Sequence, residues 1–210
     1  MSVSQEREVQ PSPTPPAPPS GIADPAPLGL AAFALTTFLL SAANAGWMTK
    51  ATGSAWLGYA FAYGGLVQLL AGMWEFRNRN TFGAVAFSTY GGFWIGLALW
   101  VELVAAHATS AAAAQHDVAW ILLAFAIFNT YMLILSSQLN MAVFLVFLTL
   151  EITEIILFIG NFAGSSGTVK FGGYVGLVTA LTAWYASAAL VSAGIANGKL
   201  KFPVGKALIS

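Results

Sequence analysis

Three scarcities limit what this chain can be. It has no cysteine, so disulfides and thiolate chemistry are excluded. Its two histidines, His107 and His116, stand nine residues apart in a polar stretch, a poor basis for a transition-metal site. Only 8% of its residues are charged, against about 25% in soluble globular domains. So few charges cannot clothe a surface that faces water. Eight Lys and Arg balance eight Asp and Glu, and no basic face for nucleic acid is indicated. Also missing are a phosphate-binding loop, a Gly-x-Ser-x-Gly elbow and a paired-histidine metal motif. No histidine falls within an apolar run, which leaves the many Ser and Thr residues without a base. The reading therefore assigns no catalytic residue, no metal and no cofactor, and the chain is not expected to be an enzyme.

What is abundant is apolar. Hydrophobic residues make up 58% of the chain and mean hydropathy is +0.75, so a lipid bilayer is the expected solvent. Residues 1–24 differ in kind. The prolines between Pro11 and Pro19 forbid a helix, because proline lacks the amide donor and clashes with the preceding turn. That stretch reads as a disordered cytoplasmic tail. Residues 25–198 hold six segments of roughly 20 residues, the length that crosses a hydrocarbon core of ~30 Å. They are Leu28–Met48, Ala55–Trp74, Gly83–Ala105, Val118–Ser137, Met141–Phe162 and Gly172–Ala193. Residues 199–210 form a short basic tail. The expected fold class is an all-α membrane protein with six transmembrane helices. A cytoplasmic N-terminus places Arg7, Arg77, Arg79, Lys199, Lys201 and Lys206 inside and only Lys50 and Lys170 outside. That is the positive-inside pattern, with both termini cytoplasmic. Gly92 with Gly96, and Gly172 with Gly176, have the spacing that lets helix backbones approach closely, within or between protomers.

Polar residues inside the spans are the informative ones, because each costs free energy in lipid and tends to face a cavity or a partner helix. The first segment carries Phe33, Thr37, Leu40 and Asn44 on one face. The second carries Tyr59, Tyr63 and Gln68, and the third Ser88, Thr89 and Tyr90. The fifth carries Phe147, Leu150, Glu151, Glu154, Phe158 and Asn161 along a broad stripe. Such faces either converge on a path lined by rings, hydroxyls and amides, or knit helices together; the pattern leaves both open. Glu151 and Glu154 stand out. A charged acid at mid-bilayer costs about 2.5–3.5 kcal/mol, and two of them three residues apart repel each other. At least one is expected to be neutral, and a neutral acid at depth can pass a proton. The alternative is that both bond to hydroxyls of a neighbouring helix or subunit.

Asp24-Pro25-Ala26-Pro27-Leu28-Gly29-Leu30 is similar to the Asn-Pro-Ala-Pro-Leu-Gly-Leu signature of the acetate uptake transporter family, the YaaH-type acetate/succinate permeases. The likeness continues through Tyr63-Gly64-Gly65 with Gln68, and Gly72 with Glu75. It takes in Asn80-Thr81-Phe82-Gly83 and Ala86-Phe87-Ser88-Thr89-Tyr90-Gly91-Gly92-Phe93-Trp94. Gly160-Asn161-Phe162-Ala163-Gly164 and Phe171-Gly172-Gly173-Tyr174 complete it. It runs from Asp24 to about Ser192, and the heptapeptide is its specific part.

The resemblance implies a six-helix protomer in the cell membrane, assembled as a homohexamer. Each protomer would carry acetate or a related monocarboxylate, or succinate, along its own path, as a channel or coupled to protons. It implies a constriction of Phe33, Tyr90 and Leu150, placed by motif: three residues after the heptapeptide, within Ser-Thr-Tyr-Gly, and by counting back from Gly160-Asn161. The mouth and binding residues are expected to be Asp24, Pro25, Ala26, Leu28, Gly29 and Leu30, with Thr37, Asn44, Tyr63 and Gln68 further along. The first turn of a helix leaves amide donors that can hold a carboxylate. Glu151 and Glu154 are the candidate proton relay. Two departures are notable: Asp24 replaces the signature Asn, and Glu151 puts an acid beside Leu150 where the family pattern is uncharged. The alternative function is a channel for a neutral small solute such as urea, an amide or ammonia.

Overall fold

The computed structural model describes residues 21–49 and 54–209. The expected proline-rich tail, with Arg7, and Lys50 to Gly53 of the first connection lie outside the described residues. Among the described residues the regular elements are all helices, with no strand. We number the helices in chain order. Helix α1 is Ala26–Asn44. Helix α2, residues 57–77, is one run of helical turns made of Leu57–Tyr59, a π-helical stretch Ala60–Val67, and Gln68–Arg77. Helices α3 to α6 are Thr81–Leu103, Ala111–Ser136, Met141–Phe162 and Ser166–Gly194. Among the described residues five helices, all but α2, are long and apolar enough to cross a membrane. In α2 the π-helical stretch divides the run, so no single α-helical piece has the required length.

Capping chemistry explains the boundaries. Asn80, Ser110, Asn140 and Ser165 precede α3 to α6, and each side-chain oxygen accepts the amide three residues on. These caps satisfy donors that a helix start leaves without partners. They begin α4 and α6 several residues before the expected Val118 and Gly172, because Ser110 and Ser165 lie that far upstream. At the other end of α1, Gly46 has φ +81°. There the Trp47 amide donates to the Ala42 carbonyl and the Gly46 amide to that of Ala43. Only glycine enters that backbone region without cost, so α1 stops at Asn44 rather than Met48. Pro25 sits just outside α1, its carbonyl accepting the amides of Leu28 and Gly29.

The packing is inverted relative to a soluble protein. Gln68, Glu75, Asn129 and Thr36 are fully buried, whereas Ile127, Ile134 and Leu181 are about 60% exposed (63%, 63% and 59%). That is the distribution expected where lipid bathes the outside and polar groups find partners within. Close approaches hold the bundle together. A Cβ on Gly91 would come within 2.7 Å of the Leu69 backbone nitrogen, which ties α3 to α2. Gly172 and Gly176 are buried, Gly172 against Leu157 and Gly176 against Ser41, while Gly92 and Gly96 face open space.

The basic tail is docked rather than loose. Lys201 Nζ donates to the carbonyls of Ser192 (2.6 Å) and Ala193 (3.2 Å) at the end of α6. The Ala142 amide donates to Val204 O, and the amides of Leu208 and Ile209 donate to Ser137 O. The tail therefore lies at the α4–α5 turn.

Candidate functional site

Two cavities lie end to end inside the bundle. The larger, about 270 Å³, is a vestibule. Its walls include Asp24, Asn78 and Asn80, Leu139 and Asn140, and Leu190. These come from the start of α1, the α2–α3 turn, the α4–α5 turn and the last part of α6, so the vestibule belongs to the end of the bundle where the C-terminal tail docks. Ala26, Leu30 and Gln68 also line it. The smaller, about 40 Å³, is lined by Thr37, Leu40, Ser41, Phe93, Trp94 and Glu154, among others.

Phe33, Tyr90 and Leu150 line both cavities. They come from α1, α3 and α5, and all three are buried. The Phe33 and Tyr90 rings meet edge to face with centroids 5.7 Å apart. Phe125 and Phe128 of α4 lean on Tyr90 at 6.0 and 5.5 Å, and Phe93 meets Phe125 edge to face at 4.6 Å. Edge-to-face contacts of this kind resist rotation of the rings. The two cavities thus share an apolar partition.

Polar atoms on the two sides differ. In the small cavity Thr37 Oγ1, Trp94 Nε1 and Glu154 Oε2 make no hydrogen bond among the described residues. In the vestibule the same holds for Gln68 Oε1. A buried polar atom without a partner costs about 1–3 kcal/mol, so three around one small space is a concentrated expense that a polar occupant would offset.

Other expected site residues fall elsewhere. Pro25, Leu28 and Gly29 belong to the α1 start but do not line the vestibule. Gly29 packs on the Phe87 ring, where a Cβ would come within 2.7 Å. The Asp24 carboxylate accepts the Ala26 amide at 3.0 Å. With Leu28 and Gly29 amides given to Pro25 O, the first turn keeps its donors engaged locally. Asn44 and Tyr63, both half-buried, line neither cavity. Glu154 lines the small cavity, and Glu151 lines neither.

The acids are joined by a residue the sequence reading passed over. Asn129 of α4 is fully buried. Its Oδ1 accepts the Tyr90 hydroxyl at 3.0 Å, and its Nδ2 donates to Phe147 O at 3.0 Å and Glu151 Oε2 at 2.7 Å. The Tyr90 hydroxyl also lies 3.3 Å from Glu154 Oε1, and the Thr130 hydroxyl donates to Glu151 Oε1 at 2.8 Å. The available signal was an amide in mid-run between Trp120 and Leu135, in a segment otherwise almost wholly apolar.

An all-helical bundle in which five helices are long and apolar enough to cross a membrane defines a multi-pass membrane protein as the class. The chain belongs to the GPR1/FUN34/yaaH family, whose model matches residues 6–205. Acetate permease A of Emericella nidulans is 41% identical, over 86% of this chain and 64% of that protein. Ammonia transport outward protein 2 of Saccharomyces cerevisiae is 37% identical, over 81% of this chain and 62% of that one. The chain thus spans less than two thirds of these fungal relatives. The succinate-acetate/proton symporter SatP of Escherichia coli K12 is 32% identical, over 88% and 96% of the two chains. A solved structure, that of the bacterial acetate channel SatP, superposes with a TM-score of 0.78 at 30% identity, covering 88% of this chain and 99% of that one.

Proposed function

We propose that this protein carries acetate and related small carboxylates across the cell membrane, through the vestibule, the Phe33–Tyr90–Leu150 partition and the small cavity. The observation that supports this reading is that Phe33, Tyr90 and Leu150 line both cavities, which together lead from one end of the bundle into its interior. A small anion keeps its water in the wide vestibule and sheds it at the partition. The relatives named for acetate and succinate transport support the substrate class.

Six crossings follow if α2 is counted. At 1.5 Å per residue its helical run has a length of ~30 Å, enough for the hydrocarbon core. An even number of crossings agrees with Asp24 and the C-terminal tail lying at one end of the bundle. The Lys and Arg distribution makes that end cytoplasmic. Outward-facing Gly92 and Gly96 on α3 are suited to close contact with a neighbouring protomer, in keeping with a homohexamer. Glu154, in the small cavity and bonded to Tyr90, is positioned to exchange a proton with a passing carboxylate, and Glu151 stands behind it.

The test is carboxylate-driven pH change inside proteoliposomes at controlled membrane potential, against protein-free vesicles. Saturable acidification with labelled acetate uptake is expected. Glu151→Gln is expected to keep uptake but weaken its dependence on pH; an unchanged pH profile would remove Glu151 from the relay. A second reading, an ammonia channel, is favoured by the Saccharomyces cerevisiae relative. It predicts alkalinisation on adding ammonium and no counterflow of labelled acetate.

A further inference from the structure

The hydrogen-bond pattern around Asn129 has a direction. Its Nδ2 carries two protons, and both are committed: one to the Phe147 carbonyl at 3.0 Å, one to Glu151 Oε2 at 2.7 Å. A flipped amide would set Oδ1 against the Phe147 carbonyl, two acceptors with no proton between them. The partners therefore decide the orientation. Oδ1 must face Tyr90, and the Tyr90 hydroxyl, 3.0 Å away, must be the donor, so its single proton goes to Asn129 rather than to Glu154 Oε1 at 3.3 Å. The second oxygen of Glu151 lies 2.8 Å from the Thr130 hydroxyl, whose one proton it shares with the Ala126 carbonyl at 2.9 Å. Among the described residues no hydrogen bond joins Glu151 to Tyr90 directly.

We propose that Asn129 is a positioning residue that links Glu151, which touches neither cavity, to the Tyr90 hydroxyl in the partition between them. Glu151 holds the amide, the amide holds the hydroxyl, and the hydroxyl keeps the ring across the path. The inference rests on the transport reading above and deepens it, by adding a control point on a helix that contributes nothing to the triad. The bland alternative is that Asn129 merely ties α4 to α5. That role would be lost equally with or without a hydroxyl on Tyr90. A linkage would not, because it has nothing to act on once the hydroxyl is gone.

The experiment is labelled acetate uptake into proteoliposomes at one fixed pH, with the variants Glu151→Leu, Glu151→Gln, Asn129→Leu and Tyr90→Phe, and the pairs that combine Tyr90→Phe with each of the first three. A hydrogen bond to a charged partner is worth enough to change a rate about tenfold. Glu151→Leu and Asn129→Leu are expected to raise maximal uptake about tenfold by freeing the ring, with half-saturation changed less than about twofold. Glu151→Gln retains an acceptor for Asn129, so it should raise maximal uptake less than Glu151→Leu does. In the Tyr90→Phe background the difference between Glu151→Gln and Glu151→Leu should vanish, and Asn129→Leu should have no further effect. Equal effects with and without the hydroxyl, or Gln as disruptive as Leu, would overturn the linkage. Thermal unfolding of the same variants in detergent keeps the two ideas apart. If the parent protein takes up no acetate, the transport reading fails, and the linkage is then judged by melting shifts: non-additive shifts support it and additive shifts overturn it.

Discussion

The two cavities differ in size and in the residues that line them. The vestibule, about 270 Å³, is wide enough to admit a hydrated ion, and three of its amides, Asn78, Asn80 and Asn140, come from turns at the ends of helices, Gln68 being the one inside a helix. The small cavity, about 40 Å³, has room for little beyond water or a carboxyl group, and its polar groups sit in mid-helix. On the proposed path the contrast separates capture from selection. Loose, hydrated binding on the vestibule side tolerates substitution, because water can replace a lost contact. In the tight cavity a lost polar group has no substitute. The proposed path is therefore expected to respond steeply at the partition and beyond, and shallowly before it.

The contrast is broken most directly by removing the wall. Phe33→Ala should raise carboxylate flux tenfold or more and admit larger acids, since each 1.36 kcal/mol taken off a barrier is a tenfold gain in rate. Loss of a buried ring also costs about 3–5 kcal/mol of stability, so Phe33→Leu, measured alongside, should show a smaller gain in the same direction. Uptake of acetate and of a branched acid, compared in one vesicle preparation, reads both effects.

A pair of polar substitutions sharpens the contrast. Thr37→Val keeps the shape and removes a hydroxyl from the small cavity; it should lower maximal uptake about three- to tenfold. Gln68→Leu, on the vestibule side, should change it less than about twofold. The reverse order would show that selection occurs before the partition.

The smallest effect is expected at the mouth. Asparagine in place of Asp24 can still accept the Ala26 amide, so folding is retained. It removes a negative charge from the positive end of α1, an effect of about 0.3–1 kcal/mol. Asp24→Asn should therefore tighten half-saturation for the anion about two- to fivefold at low salt, and added salt should shrink the gain. Unchanged half-saturation at every salt concentration would place the anion's approach away from α1.

Run length and hydropathy made most of the helices legible, because a bilayer-spanning helix must satisfy its own backbone and needs a long apolar stretch to do so. Their ends were less legible. Ser110 and Ser165 begin helices inside stretches that look like polar separators, and Gly46 ends one inside an apolar stretch. The π-helical segment Ala60–Val67 left no periodic mark in a run of apolar and small residues. The tail residues Lys201 and Val204 are docked through backbone carbonyls, which composition does not encode. At the candidate site, motif resemblance pointed to Phe33, Tyr90 and Leu150, and these converge on one partition. Asn129 carried a signal of its own, a lone amide in an apolar segment, but no single-chain pattern connects it to Tyr90 or Glu151. That link depends on how α3, α4 and α5 pack.

The absence of cysteine makes the most direct test simple, because a single introduced thiol is the only reactive one. Leu150→Cys, reconstituted in proteoliposomes, is treated with a small water-soluble thiol reagent while labelled acetate uptake is followed. The proposed path predicts that the reagent reaches Leu150→Cys, that modification blocks uptake, and that acetate in excess slows modification. Ile127→Cys, on the outer face of α4, should leave uptake unchanged after the same treatment. Modification at position 150 with uptake undiminished would show that the carboxylate does not pass between Phe33, Tyr90 and Leu150.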